Sequence, residues 1–475
     1  MATSEIATNV KEKLEVRYYQ LLAFLLLSLA NVSSKYTPDW ASLDSRITPG
    51  WYDDAKIGIF IHWGVFSVPS FSSEVFWESW KSGNCSSCNE FMKRNYKPGF
   101  TYQEFASKFS AEFFRPTDWA DLFERAGARY VILTSKHCDG YTLFPSKSSF
   151  GWNSLDVGPG RDLVLELGTT LRNQTSLRFG LYYCLYEPFH PLWMKDKANQ
   201  FKTDDFIEGK VLPNLREIVE SYAPDILWTD GEWEASSQYW KSTQFLAWLF
   251  NESKVKEFVV INDRWGNETR GRHGGIWTGG DRLNPGFVLP HKWENCMTLD
   301  KLSWGYRRNA NLDDYLSPQE LITTLVETVS CGGNLLVNVG PTKDGIIDII
   351  QQERLLEMGE WLKINGPAIY GSAPWREAQN DTVTKGVWYT SNKETVFAFL
   401  TFWPGKTVQL GSVNYNADLT IGMLGYGGKL LYEPSSPGIK VHLPKLEGTR
   451  SKKILDYGLR IINQDYFCDY GLLKM

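Results

Sequence analysis

A (β/α)8-like barrel followed by a C-terminal antiparallel β-sandwich is the fold class predicted for this chain, and three observations carry the prediction. Short apolar runs rich in β-formers alternate with stretches of helical periodicity as far as Trp375. Several of those runs stop abruptly on a polar or aromatic residue. Beyond Trp375 the helical period disappears, and only short strands separated by turns remain. Strands apolar enough for burial on both faces, alternating with helices, argue for a parallel sheet. At 475 residues the chain is too long for one ordinary domain, so a barrel with a second unit fits its length.

The strands come in this order. Ile57 to Ile61 ends at His62-Trp63-Gly64, and Tyr130 to Leu133 leads to Lys136-His137. Phe179 to Tyr183 leads to Tyr186-Glu187, and Ile226 to Trp228 ends at Asp230. Phe258 to Ile261 ends at Asp263-Arg264, and Leu335 to Val339 carries Asn338 before Gly340-Pro341. Between them, Asp118 to Ala128 has apolar positions at helical spacing with Asp118 as its cap, and 203–222, 237–250, 317–329 and 351–364 read similarly. The stretch from Arg264 to Ser317 leaves room for two poorly marked strands, which would complete eight. A doubly wound open sheet gives a similar alternation, but no Gly-x-Gly-x-x-Gly follows the first strand. After the boundary at Ala373-Pro374-Trp375, strands are expected at 387–389, 395–402, 407–410, 419–423 and 439–443. The domains are thus 36–375 for the barrel and 376–475 for the sandwich.

Leu21 to Ala30 is a compact apolar run preceded by Lys11, Lys13 and Arg17. It is short for a bilayer span and fits a secretory signal over 1–34, with an uncleaved signal anchor as the second reading. The mature chain is then expected to carry no membrane span. Asn-x-Ser/Thr occurs at Asn31 and, downstream of the signal, at Asn84, Asn173, Asn251, Asn267 and Asn380, which suits the secretory pathway. Lysosomal delivery and secretion use the same signal and sequons. Of 7 cysteines, Cys85 and Cys88 share a Gly/Ser-rich loop and suggest a local disulfide. No second cysteine pair or His-x-x-x-His follows, so no metal is expected. A net charge of −5 offers no basic footprint for nucleic acid. The 20 Trp, 23 Tyr and 26 Phe are numerous enough to line a carbohydrate cleft as well as a core, since apolar sugar faces stack on indole.

The segment Asp-Ile-Leu-Trp-Thr-Asp-Gly-Glu-Trp-Glu at 225–234 is the most informative for chemistry. A buried strand ending on Asp230 puts a carboxylate where barrel enzymes place catalytic groups. Gly231 lets the backbone turn away and leaves that carboxylate open to a ligand. A solvated acidic turn is the plainer reading of the same residues.

Six motifs in order then resemble the α-L-fucosidases of the animal tissue type, glycoside hydrolase family 29. They are Gly58-Ile-Phe-Ile-His-Trp-Gly64, Thr134-Ser-Lys-His-Cys-Asp-Gly140, Leu227-Trp-Thr-Asp-Gly-Glu-Trp233, His291-Lys-Trp-Glu-Asn-Cys296, Ser303-Trp-Gly-Tyr306 and Asn338-Val-Gly-Pro-Thr-Lys-Asp-Gly345. The resemblance implies retaining hydrolysis of terminal α-linked L-fucose from glycoproteins and glycolipids, through a glycosyl-enzyme. It needs two carboxyl groups roughly 5 Å apart and no cofactor. Asp230 matches the family nucleophile. Glu294 is the favoured acid/base, although neighbouring Lys292 would lower its pKa, and Asp281 on the Gly279-Gly-Asp-Arg282 loop is the alternative. Fucose recognition is expected from Phe60, His62, Glu74, His137, Trp228, Arg264 and a tyrosine of the Tyr182-Tyr183 pair, taken as Tyr183. Cys296 is read as support near the site, and Glu232 and Glu234 as flanking or solvated groups. The family habit implies a homo-oligomer, a dimer or tetramer.

Two positions depart from the family. Cys138 stands where a second His usually follows His137, and Val75 where a Trp usually follows Glu74. A thiol is a weaker hydrogen-bond partner than imidazole, so sugar binding is expected to weaken by about 0.5–1.5 kcal/mol while the chemistry survives. A fucose-binding, lectin-like protein with little turnover is the second reading, and these two positions are its basis.

Overall fold

The computed structural model describes residues 36–393, 395–445 and 457–462. The expected signal at 1–34, the sequon at Asn31 and Cys468 lie outside the described residues. Seven strands among them form one curled parallel sheet: β1 (Ile57–Ile61), β2 (Tyr130–Lys136), β3 (Arg178–Cys184), β4 (Ile226–Asp230), β5 (Val260–Ile261), β6 (Trp293–Thr298) and β7 (Gly333–Val339). Their order is β5-β4-β3-β2-β1-β7-β6. All six expected strands are present. The ill-marked stretch after Arg264 supplies one full strand, β6, and a residue pair that does an eighth strand's work. Ile276 bridges Asn262 beyond β5, and Trp277 bridges Trp293 on β6, both in parallel sense. The two edges of the curled sheet are therefore linked by a two-residue stitch, which carries no strand pattern to read.

Burial explains the strand composition. β1, β2, β6 and β7 are buried at every position, as strands covered by helices on one side and packed inward on the other must be. Helices at Pro116–Arg125, Leu163–Gln174, Leu212–Tyr222, Ser242–Asn251, Pro318–Ser330 and Ile349–Asn365 supply the outer layer. Pro116 opens the first of these at a position where its missing N–H costs nothing, so Asp118 sits inside the helix and is not its cap. The expected helix at 237–250 begins only at Ser242, after turns tied to the 265–269 loop.

The remaining strands build the second unit. A five-stranded sheet contains β8 (Ala373–Pro374), β9 (Val387–Asn392), β10 (Thr395–Leu400), β12 (Thr420–Met423) and β15 (Tyr457–Ile462). A three-stranded sheet contains β11 (Thr407–Leu410), β13 (Tyr432–Pro434) and β14 (Ile439–His442). All these pairings are antiparallel, and a separate apolar cluster including Val387, Leu410, Ile421 and Ile439 fills the space they enclose. β8, just ahead of the expected boundary, already pairs with β9. The helix Pro318–Ser330 rests on β8 and β9, and Trp361 meets Phe399 at 5.9 Å, so the two units share an apolar seam.

Cys85 and Cys88 form the expected disulfide. Cys138, Cys184, Cys296 and Cys331 are free and buried. Among the described residues no helix is long and apolar enough to cross a membrane, and no His/Cys/Asp/Glu cluster is arranged to hold a metal. Asn84, Asn173, Asn267 and Asn380 are exposed. Asn251 differs, because its amide is occupied: Oδ1 accepts from Tyr36 N at 2.8 Å, and Nδ2 donates to Tyr36 O at 2.8 Å. Closing that ring requires the amide hydrogen on the same side as Oδ1. A glycan attached through a trans amide takes that side. We therefore expect peptide mapping of the folded, secreted protein, after enzymatic deglycosylation in heavy-oxygen water, to show no isotope label at Asn251. A label there would contradict the pairing.

Candidate active site

The C-terminal ends of the parallel strands open into a cavity of about 330 Å³. Strand periodicity decides which side chains reach it. Alternate residues point inward, and the inward sets are Phe60 and His62 from β1 and the loop after it, Tyr182 and Cys184 from β3, and Trp228 and Asp230 from β4. At the end of β2, a register shift between Thr134 and Lys136 re-aims the chain, and His137 and Cys138 just beyond it also face the cavity.

Asp230 sits at the end of β4. Gly231 follows with φ of 75°, and a Cβ there would lie 2.6 Å from the Tyr186 ring, so only glycine makes the turn. Arg264 organises the carboxylate. Its Nη1 lies 2.8 Å from Asp230 Oδ1, its Nη2 lies 2.7 Å from Asp281 Oδ1, and its Nε donates to Thr278 Oγ1 at 2.9 Å. Arg270 is the second cation, with Nη2 3.6 Å from Asp230 Oδ1 and Nε paired to Glu232. The Tyr182 hydroxyl donates to Asp230 Oδ2 at 3.0 Å. Burial by itself would push the Asp230 carboxyl up, but Arg264 first, then Arg270 and Tyr182, hold it below the ordinary carboxylate value. Asp230 is thus kept as an anion.

Two neutral imidazoles face the same space. Burial pushes His62 down despite the nearby carboxylates of Glu74, Asp230 and Asp281. Burial, then His62 and Lys136, push His137 well below its ordinary value. His62 Nδ1 meets Asn338 Oδ1 at 2.7 Å, while Asn338 Nδ2 donates to Thr298 Oγ1 and Trp304 O. That orientation of the amide makes His62 Nδ1 the protonated nitrogen and leaves Nε2 free to accept. Cys138 Sγ lies 3.3 Å from His137 Nδ1, so the thiol serves its neighbour as well as the cavity wall. Glu74 Oε2 accepts from Trp304 N at 2.9 Å and Gly305 N at 3.3 Å.

Two expected site residues stand elsewhere. Glu294 is fully buried near the start of β6, opposite Asn334 near the start of β7, whereas the cavity opens at the other end of the strands. Its Oε2 accepts from Tyr52 Oη at 2.5 Å and Tyr130 Oη at 2.7 Å, and its Oε1 from Trp228 Nε1 at 2.9 Å. Burial pushes this carboxyl above its ordinary value against those bonds, with Lys292 a minor opposing charge. A raised pKa is what a general acid needs, but a carboxyl sealed beneath the cavity floor has nothing to protonate. Location outweighs titration here, and Glu294 is corrected to a structural anchor for Trp228. Asp281 does line the cavity and is 44% exposed at its side chain. Tyr183 is likewise corrected. One residue out of phase with Tyr182, it turns behind the sheet, where its hydroxyl bonds Asn214 Oδ1 at 3.1 Å.

Cys296 sits 3.9 Å from both Arg264 Nη2 and Asp281 Oδ1, behind the residues that line the cavity. Tyr186, Trp233 and Arg270, given no site role from the sequence, all line the cavity. The period of two along β3 places Tyr182 and Tyr183 on opposite faces but leaves open which of them points inward. Nothing in the Asn267-Glu-Thr-Arg270 loop marks Arg270.

With this geometry in view, comparison with known proteins is direct. A family model described as alpha-L-fucosidase matches residues 23–367, and one described as the alpha-L-fucosidase C-terminal domain matches 379–462. The plasma alpha-L-fucosidase of Homo sapiens is 52% identical over 422 residues, 88% of this chain and 90% of that one. The tissue alpha-L-fucosidase of Homo sapiens is 51% identical over 414 residues, 87% and 88% of the two chains. A crystal structure of Thermotoga maritima alpha-fucosidase in complex with fucose superposes with a TM-score of 0.77 at 31% identity, covering 90% of this chain and all of that one.

One group beside the cavity gives a pH signature. Asp139, next to Cys138, is buried, accepts from Tyr102 Oη at 2.8 Å and Tyr141 N at 3.1 Å, and is pushed up to about 6 chiefly by burial. A carboxyl whose pKa is higher folded than unfolded stabilises the fold below about pH 4, and that contribution fades as pH rises through about 6. In Asp139→Asn the amide oxygen accepts from Tyr141 N and the amide nitrogen donates to Tyr102 Oη, so both contacts persist, one with its direction reversed, without the charge. Relative to the parent, it should gain up to about 3 kcal/mol between pH 4 and pH 7 in thermal or denaturant unfolding. A difference independent of pH would refute this assignment.

Proposed function

The chain belongs to the α-L-fucosidase family, glycoside hydrolase family 29, and on that premise we propose a retaining cleavage of terminal α-linked L-fucose with Asp230 as nucleophile and Asp281 as acid/base. The enzyme acts on fucosylated substrates and is a secreted or lysosomal protein. The observation that carries the mechanism is one buried guanidinium bonded to two carboxylates at the mouth of the cavity. Acceptors on the two terminal nitrogens of one guanidinium are held close together, which suits the separation of about 5 Å used by retaining enzymes.

In the first step an Asp230 oxygen bonds the anomeric carbon, the glycosidic C–O bond breaks, and Asp281 gives its proton to the departing oxygen. In the second, Asp281 takes a proton from water, the oxygen attacks the same carbon, and Asp230 leaves as a carboxylate. Each step moves one negative charge between the two aspartates. Because Arg264 touches both, it neutralises that charge at either end of the transfer. The neutral imidazoles of His62 and His137 can bond sugar hydroxyls without adding positive charge beside an oxocarbenium-like transition state. Phe60, Trp228 and Tyr182 supply apolar surface, with Tyr182 and Trp228 stacked at 5.6 Å. Family habit supports a homo-oligomer, a dimer or tetramer, for which sedimentation velocity is the check.

Asp230→Ala should lower kcat on an aryl α-L-fucoside by at least about a thousandfold. Azide should partly restore it and yield the inverted β-fucosyl azide. With Asp281→Ala, azide should yield the retained α-fucosyl azide from substrates bearing a good leaving group. Glu294→Ala should lose stability by about 2–4 kcal/mol and give no azide product. Retained azide from Glu294→Ala, and none from Asp281→Ala, would exchange the two assignments.

A further inference from the structure

A single 6-deoxyhexose needs only the inner part of the cavity, and the outer wall carries an aromatic that the fucose ring does not require. Trp233 follows Asp230 by three residues, across the Gly231 turn, and lines the same cavity. It is 47% exposed, whereas Phe60, Tyr182 and Trp228 on the inner wall are each 1% exposed. An indole left half in water beside a polar mouth gains only part of what burial would give it, and the exposed part of its apolar face is open to a ligand.

The ring is nonetheless held in one orientation. Tyr186 meets it edge-on at 5.3 Å and 63°, and Tyr186 is itself fixed by its hydroxyl bond to Glu78 Oε2 at 3.0 Å. The Arg270 guanidinium lies 5.9 Å from the Trp233 ring centre and is anchored by Glu232 and by Gly279 O at 3.1 Å. Asp281, the group that would protonate the leaving oxygen, lies on the adjoining rim. A rigid, half-exposed indole at the exit from the catalytic carboxylates has the form of a sugar platform: apolar C–H face on the ring, hydroxyls toward the flanking polar groups.

We propose that Trp233 is the platform of the leaving-group subsite, stacking the pyranose ring from which fucose is cut, with the Arg270 guanidinium and Tyr186 hydroxyl beside that ring's hydroxyls. The assignment rests on the fucosidase reading above. It makes Trp233 a determinant of which fucosylated glycans are cleaved, while the inner wall decides that the sugar removed is fucose.

The test compares two substrates of one enzyme. α-L-Fucosyl fluoride has no ring in its leaving group, and a fucosyl-galactose disaccharide has one. In Trp233→Ala, kcat/KM for the disaccharide should fall about tenfold further than for the fluoride, mainly through KM. Trp233→Phe, which keeps a planar face, should recover most of that difference. Equal losses on both substrates would overturn the proposal, because Trp233 would then act on Asp230 through Arg270 and not on the leaving group. An unchanged disaccharide-to-fluoride ratio with normal activity would overturn it as well. Should the wild-type enzyme hydrolyse neither substrate, the fucosidase reading itself fails, a result distinct from either of these.

Discussion

Two carboxylates share one buried guanidinium, and much of the site is arranged to make that arrangement bearable. Arg264 is 3% exposed at its side chain, and a cation out of water is stable only when its donors are matched. Asp230, Asp281 and Thr278 take its nitrogens, while the Trp228 ring lies 4.6 Å beneath it. Each partner is held in turn. Thr278 Oγ1 donates to Asp263 Oδ1 at 2.7 Å, and the Trp228 indole donates to Glu294. The Asp230 anion is therefore fixed by a cation whose own position is set from below, through the Trp228 ring, by the Glu294 carboxyl.

Depth along the strands separates these roles. Glu294 and Cys296 lie on the same face of β6, two residues apart, or about 7 Å at strand rise. Cys296 reaches Arg264 and Asp281, whereas Glu294, among the residues lining the cavity, bonds only Trp228, from below. In barrels the C-terminal ends of the strands hold chemistry and the N-terminal ends hold stability. Glu294 satisfies two tyrosine hydroxyls and an indole at the stabilising end, which explains a carboxyl in so apolar a place.

The loop after β2 is fixed by a second buried charge group. Lys136 Nζ lies 2.8 Å and Lys210 Nζ 3.6 Å from Glu187 Oε1, all three wholly or nearly buried. Gly140 has φ of 79°, and a Cβ there would lie 2.4 Å from Glu187 Oε2, so the glycine lets the chain pass over this carboxylate. His137 and Cys138 are thereby presented to the cavity by a turn whose charges face away from it. Within that turn the Cys138 thiol meets His137 Nδ1.

The parallel sheet and the antiparallel unit after it were legible because burial on both faces, helical periodicity and turn spacing are local signals. Asp230, the carboxylate proposed to attack, stood out too, as the end of an apolar strand before Gly231. What neighbouring residues could not reveal was depth and phase: whether Glu294 or Asp281 reaches the cavity, whether Tyr182 or Tyr183 points inward, and that Arg270 and Trp233 come to its rim. Glu294 carries the stronger motif, yet Asp281, on a glycine-rich loop with no pattern of its own, is the carboxylate placed against Arg264. By itself the sequence determined most of the strands and helices and singled out Asp230, since these follow from side-chain chemistry and periods of two and 3.6. Only the tertiary structure decided which second carboxylate shares Arg264, because that depends on the curl of the sheet and the path of a loop tied to strands far away in the chain.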